Sequence, residues 1–151
     1  MEKLKDLLGN KHGEDVYYKS RGIDNNPLIE FREVKSIGEQ TTFNQNTLEA
    51  KIICDTFLKL SESVFQKFTE SNFASFKTIT ITVRFADFET KTTSKTFKDP
   101  ITKTQKKKLS LEIFKLILPF LDSRSNPRRK PIRLIGVRLD KLVLWYRWNF
   151  I

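Results

Sequence analysis

The run Thr78-Ile79-Thr80-Ile81-Thr82-Val83-Arg84-Phe85 limits the possible folds more than any other part of the chain. Ile79, Ile81, Val83 and Phe85 share one parity, and Thr78, Thr80, Thr82 and Arg84 share the other. In an extended backbone successive side chains leave on opposite sides, so the segment reads as a strand with one apolar face and one wet face. Such a strand belongs to a sheet packed on one side only. After a tight connection at residues 87–89, residues 90–98 return as a polar strand of Thr, Ser and Lys, completing a hairpin.

Helical periodicity flanks this hairpin. Asn46 precedes Glu49 by three residues, the spacing of a capping box, and Leu48, Ile52, Ile53, Phe57, Leu60, Val64 and Phe68 follow at steps near one helical turn. Thr102 and Gln105 repeat the spacing ahead of Leu109, Ile113, Leu116, Ile117 and Phe120, with Pro119 expected to bend or end the helix. Residues 35–43 alternate Ile37 and Phe43 against Ser36, Gly38, Gln40 and Thr42, which predicts a first strand. Pro131 opens a last strand reaching Leu139. The order is β-α-β-β-α-β, an α+β fold in which two singly striped helices cover one face of a four-stranded sheet and leave the other open. Residues 2–20, interrupted by Gly9 and Gly13, predict two short helical pieces, and the turn-rich stretch from Arg21 to Glu33 predicts a linker. The expected organisation is a helical segment over 1–20, the linker over 21–33, the α+β domain over 34–142 and an aromatic tail over 143–151.

Composition narrows the function. The 151 residues suit one domain with a short attachment. A single Cys54 excludes a disulfide framework or Cys-based zinc site and is expected to be a small core residue. The lone His12 removes most His-based metal or triad chemistry and is expected to be exposed or capping. No window is long and apolar enough for a membrane span, and the N-terminus lacks a secretory h-region, so a cytoplasmic location is expected. The net charge of +10 is uneven: residues 77–108 supply +6 and residues 124–151 supply +7, while residues 1–76 sum to −2. Basic excess concentrated in two segments predicts a surface that meets a polyanion. Lys106, Lys107 and Lys108 at a helix start, where they oppose the dipole, are expected to be a solvated face.

Lys35-Ser36-Ile37-Gly38 and Ile132-Arg133-Leu134-Ile135-Gly136-Val137-Arg138-Leu139 resemble the first and last strands of the little-finger domain of Y-family DNA polymerases of the polymerase IV type. Between them come a helix, a hairpin ending in Thr96-Phe97 and another helix, as in that domain. Gly13-Glu14 and Arg21-Gly22-Ile23-Asp24 resemble the last thumb helix and the tether. The resemblance implies a part in translesion synthesis, DNA repair and the SOS response, with damaged, double-stranded or primer-template DNA as partner and a sliding clamp as a candidate second. It does not imply catalysis by this chain. The metal-holding carboxylates of such enzymes lie in a palm N-terminal to the thumb, and no Ser-x-Asp-Glu signature occurs here, so magnesium is expected only in that palm and no cofactor in this chain. Asp87 and Glu89 are expected to be solvated turn carboxylates without partners. The chain therefore reads as a C-terminal fragment or truncated product of such a polymerase.

The DNA-binding residues expected on this reading are Lys35, Ser36, Gly38, Thr41, Thr42, Arg84, Thr93, Lys95, Arg133 and Arg138. Ser36 and Gly38 permit close approach of phosphates, and Thr41 and Thr42 supply hydroxyls. The resemblance implies phosphate contacts for Lys95, Arg133 and Arg138. Arg133 and Arg138 have opposite parity, so a bulge at Gly136 is expected to re-aim one of them, with a structural ion pair as the alternative role of Arg138. Such contacts grip backbone without reading sequence. Neutralising about four to six phosphates would give log K a slope of about −4 to −5 against log salt. A second reading is a non-catalytic interaction protein that binds a clamp or polymerase through the fold and its aromatic tail, although the tail lacks the Gln of a clamp peptide. A single-strand binder using the open sheet is disfavoured, because base stacking needs rings and the open face is polar.

Overall fold

The structure, a computed structural model, describes residues 1–30, 32–122 and 124–145. It divides the chain into two compact units, Met1–Glu33 and Val34–Ile151. In the first, α1 (Glu2–Leu8) and α2 (Asn10–Lys19) are separated at Gly9, whose φ of 80° few other residues adopt without strain. Gly13 does not break a helix as expected. It lies inside α2 and lets the two helices touch, since a Cβ there would stand 2.4 Å from the Leu4 carbonyl oxygen.

The second unit contains β1 (Ser36–Thr47), α3 (Ala50–Glu70), β2 (Phe73–Phe85), β3 (Thr90–Thr102), α4 (Lys106–Leu121) and β4 (Ile132–Leu144). The strands form one antiparallel sheet in the order β1-β4-β2-β3. β1 and β2 are therefore mutually parallel with β4 inserted between them, and α3 makes the crossover. α3 packs on β1 and β4, and α4 on β2 and β3. Both helices sit on the side to which Ile79, Ile81, Val83 and Phe85 point, and these side chains are buried with Phe57, Val64, Phe68, Ile113, Ile117, Ile135 and Leu139. Within this unit, among the described residues, no helix covers the opposite face.

Several local expectations need correction. β1 runs on through Asn46, so the Asn46–Glu49 capping box does not form; Glu49 is the N-cap residue, and its N–H is accepted by the Thr47 hydroxyl at 3.0 Å. Leu48 and Ile52 are exposed rather than core, because the apolar stripe of α3 is rotated toward Ile53, Phe57, Leu60, Val64, Phe65 and Phe68. At the second helix half of the expected box exists: the Gln105 side chain accepts from the Thr102 N–H at 3.0 Å. Pro119 occupies the last turn of α4, which ends two residues later at Leu121. Cys54 is half-buried beside the core rather than in it, and burial pushes its thiol pKa up. His12 is exposed, as expected.

The sheet ends less regularly than its middle. β3 carries three extra residues relative to β2 between Thr96 and Ile101, which lengthens it past the expected end of the hairpin. Lys141 takes a φ of 56°, and beyond it Leu142, opposite Phe76, packs against the core instead of continuing the wet row.

Candidate nucleic-acid interface

The uncovered face is built from four rows whose members are set by register. β1 contributes Ser36, Gly38, Gln40 and Thr42, paired with Asp140, Arg138, Gly136 and Leu134 of β4. β2 contributes Thr78, Thr80, Thr82 and Arg84, paired with Thr96, Ser94, Thr92 and Thr90 of β3. Hydroxyls dominate this surface because β3 is polar at every position of its first half, and the parity opposite Ile79 and Ile81 in β2 is Thr. The rows are tied together laterally. Thr78 and Thr96 hydroxyls meet at 2.9 Å, Thr80 donates to Asp140 at 2.8 Å, and Arg84 Nε donates to the Thr90 hydroxyl at 2.9 Å.

Between β1 and β4 the face sinks into a shallow groove lined by Ser36, Gly38, Gln40, Thr82, Gly136 and Arg138. Two glycines make its floor. A Cβ on Gly38 would stand 2.9 Å from the Val137 carbonyl oxygen and 3.1 Å from Arg138 Cβ, and one on Gly136 would stand 3.1 Å from Gln40 Cβ. The glycines thus let the neighbouring side chains close in over the backbone, and Arg138 lies over Gly38. Its Nε donates to Asp140 at 2.9 Å, which is the ion pair named as its alternative role.

The ten expected residues divide by face. Ser36, Gly38, Thr42, Arg84 and Arg138 converge on the open side, and Lys35 is exposed just ahead of β1. Thr41, Thr93 and Lys95 do not join them. Thr41 has the parity of Glu39, which binds Ser63 and Lys67 of α3, so it faces the helices. Thr93 and Lys95 pair with Ile81 and Ile79, and Lys95 reaches α4, where it binds Glu112 at 2.5 Å. Glu112 also receives Lys115 at 3.0 Å, and these two hydrogen bonds, Lys95 foremost, hold its carboxyl below the usual carboxylate range.

Arg133 corrects the expectation of a bulge at Gly136. The register is regular from Leu134 to Asp140, and the slip falls between Arg84 and Phe85, opposite Ile132 and Leu134, so Arg133 itself is the extra residue. Its guanidinium carbon lies 4.9 Å from the Phe88 ring centroid. Nor are Asp87 and Glu89 unpartnered: the Lys130 ammonium binds both, which lowers their carboxyl pKa values and raises its own. Among the described residues no cluster of His, Cys, Asp and Glu is grouped to hold a metal, and no helix is long and apolar enough to cross a membrane. Lys106–Lys108 are exposed, Lys106 pairing with Glu62. Residues 146–151, where most of the aromatic tail falls, lie outside the described residues.

Sequence reasoning placed Thr82 on the wet face of β2 but missed Gln40, Gly136 and Asp140 as members of this surface. The parity of Gly38 was enough to find Gln40; the others required knowing that β4 lies between β1 and β2.

Comparison with known proteins places this geometry. Residues 34–144 match the impB/mucB/samB family C-terminal domain. Over 133 residues the chain is 34% identical to DNA polymerase IV of Desulfotalea psychrophila, covering 87% of this chain and 33% of that protein. It is 31% identical over 132 residues to DNA polymerase IV of Methanoculleus marisnigri, covering 87% and 34%. The chain thus spans about a third of the length of these relatives. Among solved structures, a Y-family DNA polymerase chimera of Dbh and Dpo4 superposes with a TM-score of 0.58 at 21% identity, covering 95% of this chain and 38% of that one. An insertion ternary complex of Dbh DNA polymerase gives 0.54 at 20% identity, covering 95% and 38%.

Proposed function

The chain belongs to the impB/mucB/samB family, residues 34–144 being its C-terminal, little-finger domain, and from that premise we propose that the open sheet face grips duplex DNA without reading its sequence. The observation that carries this reading is the glycine-floored groove lined by the Ser36 and Thr82 hydroxyls and the Arg138 guanidinium. Small polar groups on a rigid sheet suit phosphate and sugar contacts, which position a duplex but carry no base information. Arg84 and Arg138 supply charge at the face and Lys35 at its edge, while Ser36, Thr42 and Thr82 supply hydroxyls. The flat, unlidded shape matches a duplex surface rather than a small substrate.

We assign the grip to primer-template DNA, a reading supported by the names of its relatives and fold neighbours, which are DNA polymerases, and we propose a part in damage tolerance by translesion synthesis in the cytoplasm. The test is binding of this chain to labelled primer-template duplexes of unrelated sequence, followed by fluorescence anisotropy. Equal affinity across sequences with steep salt dependence is expected. Strong preference for one sequence, or no binding at low salt, would overturn the reading.

A further inference from the structure

The tip of the β2–β3 hairpin is not built like an ordinary solvent turn. Phe88 has a φ of 65°, a left-handed conformation that bulky residues seldom adopt and that Gly or Asn would take without strain. The residue is nonetheless 65% exposed. A lone exposed apolar side chain needs no special account, but one held at strained backbone in a braced turn does.

The bracing comes from three elements. The Phe88 N–H donates to the Phe85 carbonyl at 3.0 Å and the Phe85 N–H to the Glu89 carbonyl at 2.9 Å. The Ala86 N–H donates to the Pro131 carbonyl at 2.9 Å, and Lys130 clamps Asp87 and Glu89 on either side of the aromatic residue. Arg133, the bulged residue of β4, stacks its guanidinium against the ring. The ring is therefore fixed before any ligand arrives. Arg128 and Arg129 are exposed on the loop that supports it, so the surroundings attract a phosphate backbone. Arg84 and Thr90 carry the hydroxyl-rich face to the base of this tip.

We propose that Phe88 is a stacking platform for an unpaired nucleobase of single-stranded DNA that continues from the duplex held on the open face; this rests on the duplex-binding reading above. Every base has a π-face, so a rigid ring beside cations binds single strands without sequence preference. The polar sheet cannot supply that contact, and the hairpin tip can.

The experiment compares three probes of equal paired length: a blunt duplex, a duplex with a single-stranded overhang, and one whose overhang carries abasic sites. Each is titrated with the whole chain and with Phe88→Ala and Phe88→Trp, after thermal melts establish that the variants fold. The overhang should bind the unsubstituted chain more tightly than the blunt duplex. Phe88→Ala should weaken overhang binding at least about fivefold while leaving the blunt duplex unchanged, and Phe88→Trp should retain it. The abasic overhang should reproduce the Ala result with the unsubstituted chain. Equal loss on blunt and overhang probes, or no loss on either, would overturn the proposal with duplex binding intact. Failure of the unsubstituted chain to bind any of the three would overturn both readings.

Discussion

Glu112 receives a lysine that was expected elsewhere. Lys95 was expected at the DNA surface, but its register opposite Ile79 turns it to the helix side, where a nearly buried carboxylate on α4 binds it. Because the folded-state pKa of Glu112 is depressed, its contribution to stability is complete above the unfolded carboxylate range and is lost as pH falls through the folded value. Glu112→Gln should therefore cost about 1 kcal/mol near neutral pH, the partners being half-exposed lysines that can rehydrate. The difference from the unsubstituted chain should shrink on acidification below about pH 4, as urea melts across pH would measure. Glu39, held low by the Ser63 hydroxyl and then Lys67, follows the same sign. At Gly38 the effect is steric. Gly38→Ala forces a Cβ against the Val137 carbonyl and the Arg138 side chain, so it should destabilise by about 1–3 kcal/mol in chemical denaturation and weaken DNA binding together.

Elements show where the sequence spoke clearly and where it did not. In β2 one parity is apolar and the other polar, so both faces were legible before any coordinate. In β3 the first half is polar at every position, alternation carries no signal, and only the pairing with Ile79 and Ile81 reveals that Thr93 and Lys95 face the helices. The bulge at Arg133 was likewise invisible: it arises where β4 must pair with both β1 and β2, and Gly136, the residue that looked permissive, serves close approach instead. Helix α3 ends on a long-range cap. Lys103 Nζ donates to the Thr69 and Ser71 carbonyls at 2.8 and 2.7 Å, satisfying acceptors at the negative end of the helix. Lys103→Met should lower stability by about 1 kcal/mol, read from the denaturation midpoint, without changing affinity for duplex DNA.

For the whole molecule, the net charge of +10 does not sit where the DNA is proposed to lie. The open rows hold Arg84 and Arg138, and Asp140 places a carboxylate among them. With Lys35 and Arg133 at the margins, about three or four phosphates are within reach, so the salt slope should be about −3 to −4, shallower than composition alone suggested. Asp140→Asn frees Arg138 and removes a repulsive charge, so it should tighten duplex binding and steepen the slope by about one; anisotropy titrations between low and moderate salt decide it. By itself the sequence determined the β-α-β-β-α-β order and the one-sided sheet, because each of those features is written in a local hydrophobic period that only one backbone geometry can satisfy. Only the tertiary structure decided which cations meet the open face. A polar side chain on an edge strand takes its direction from its neighbours across the sheet and from the carboxylates packed above it, and neither is near it in sequence.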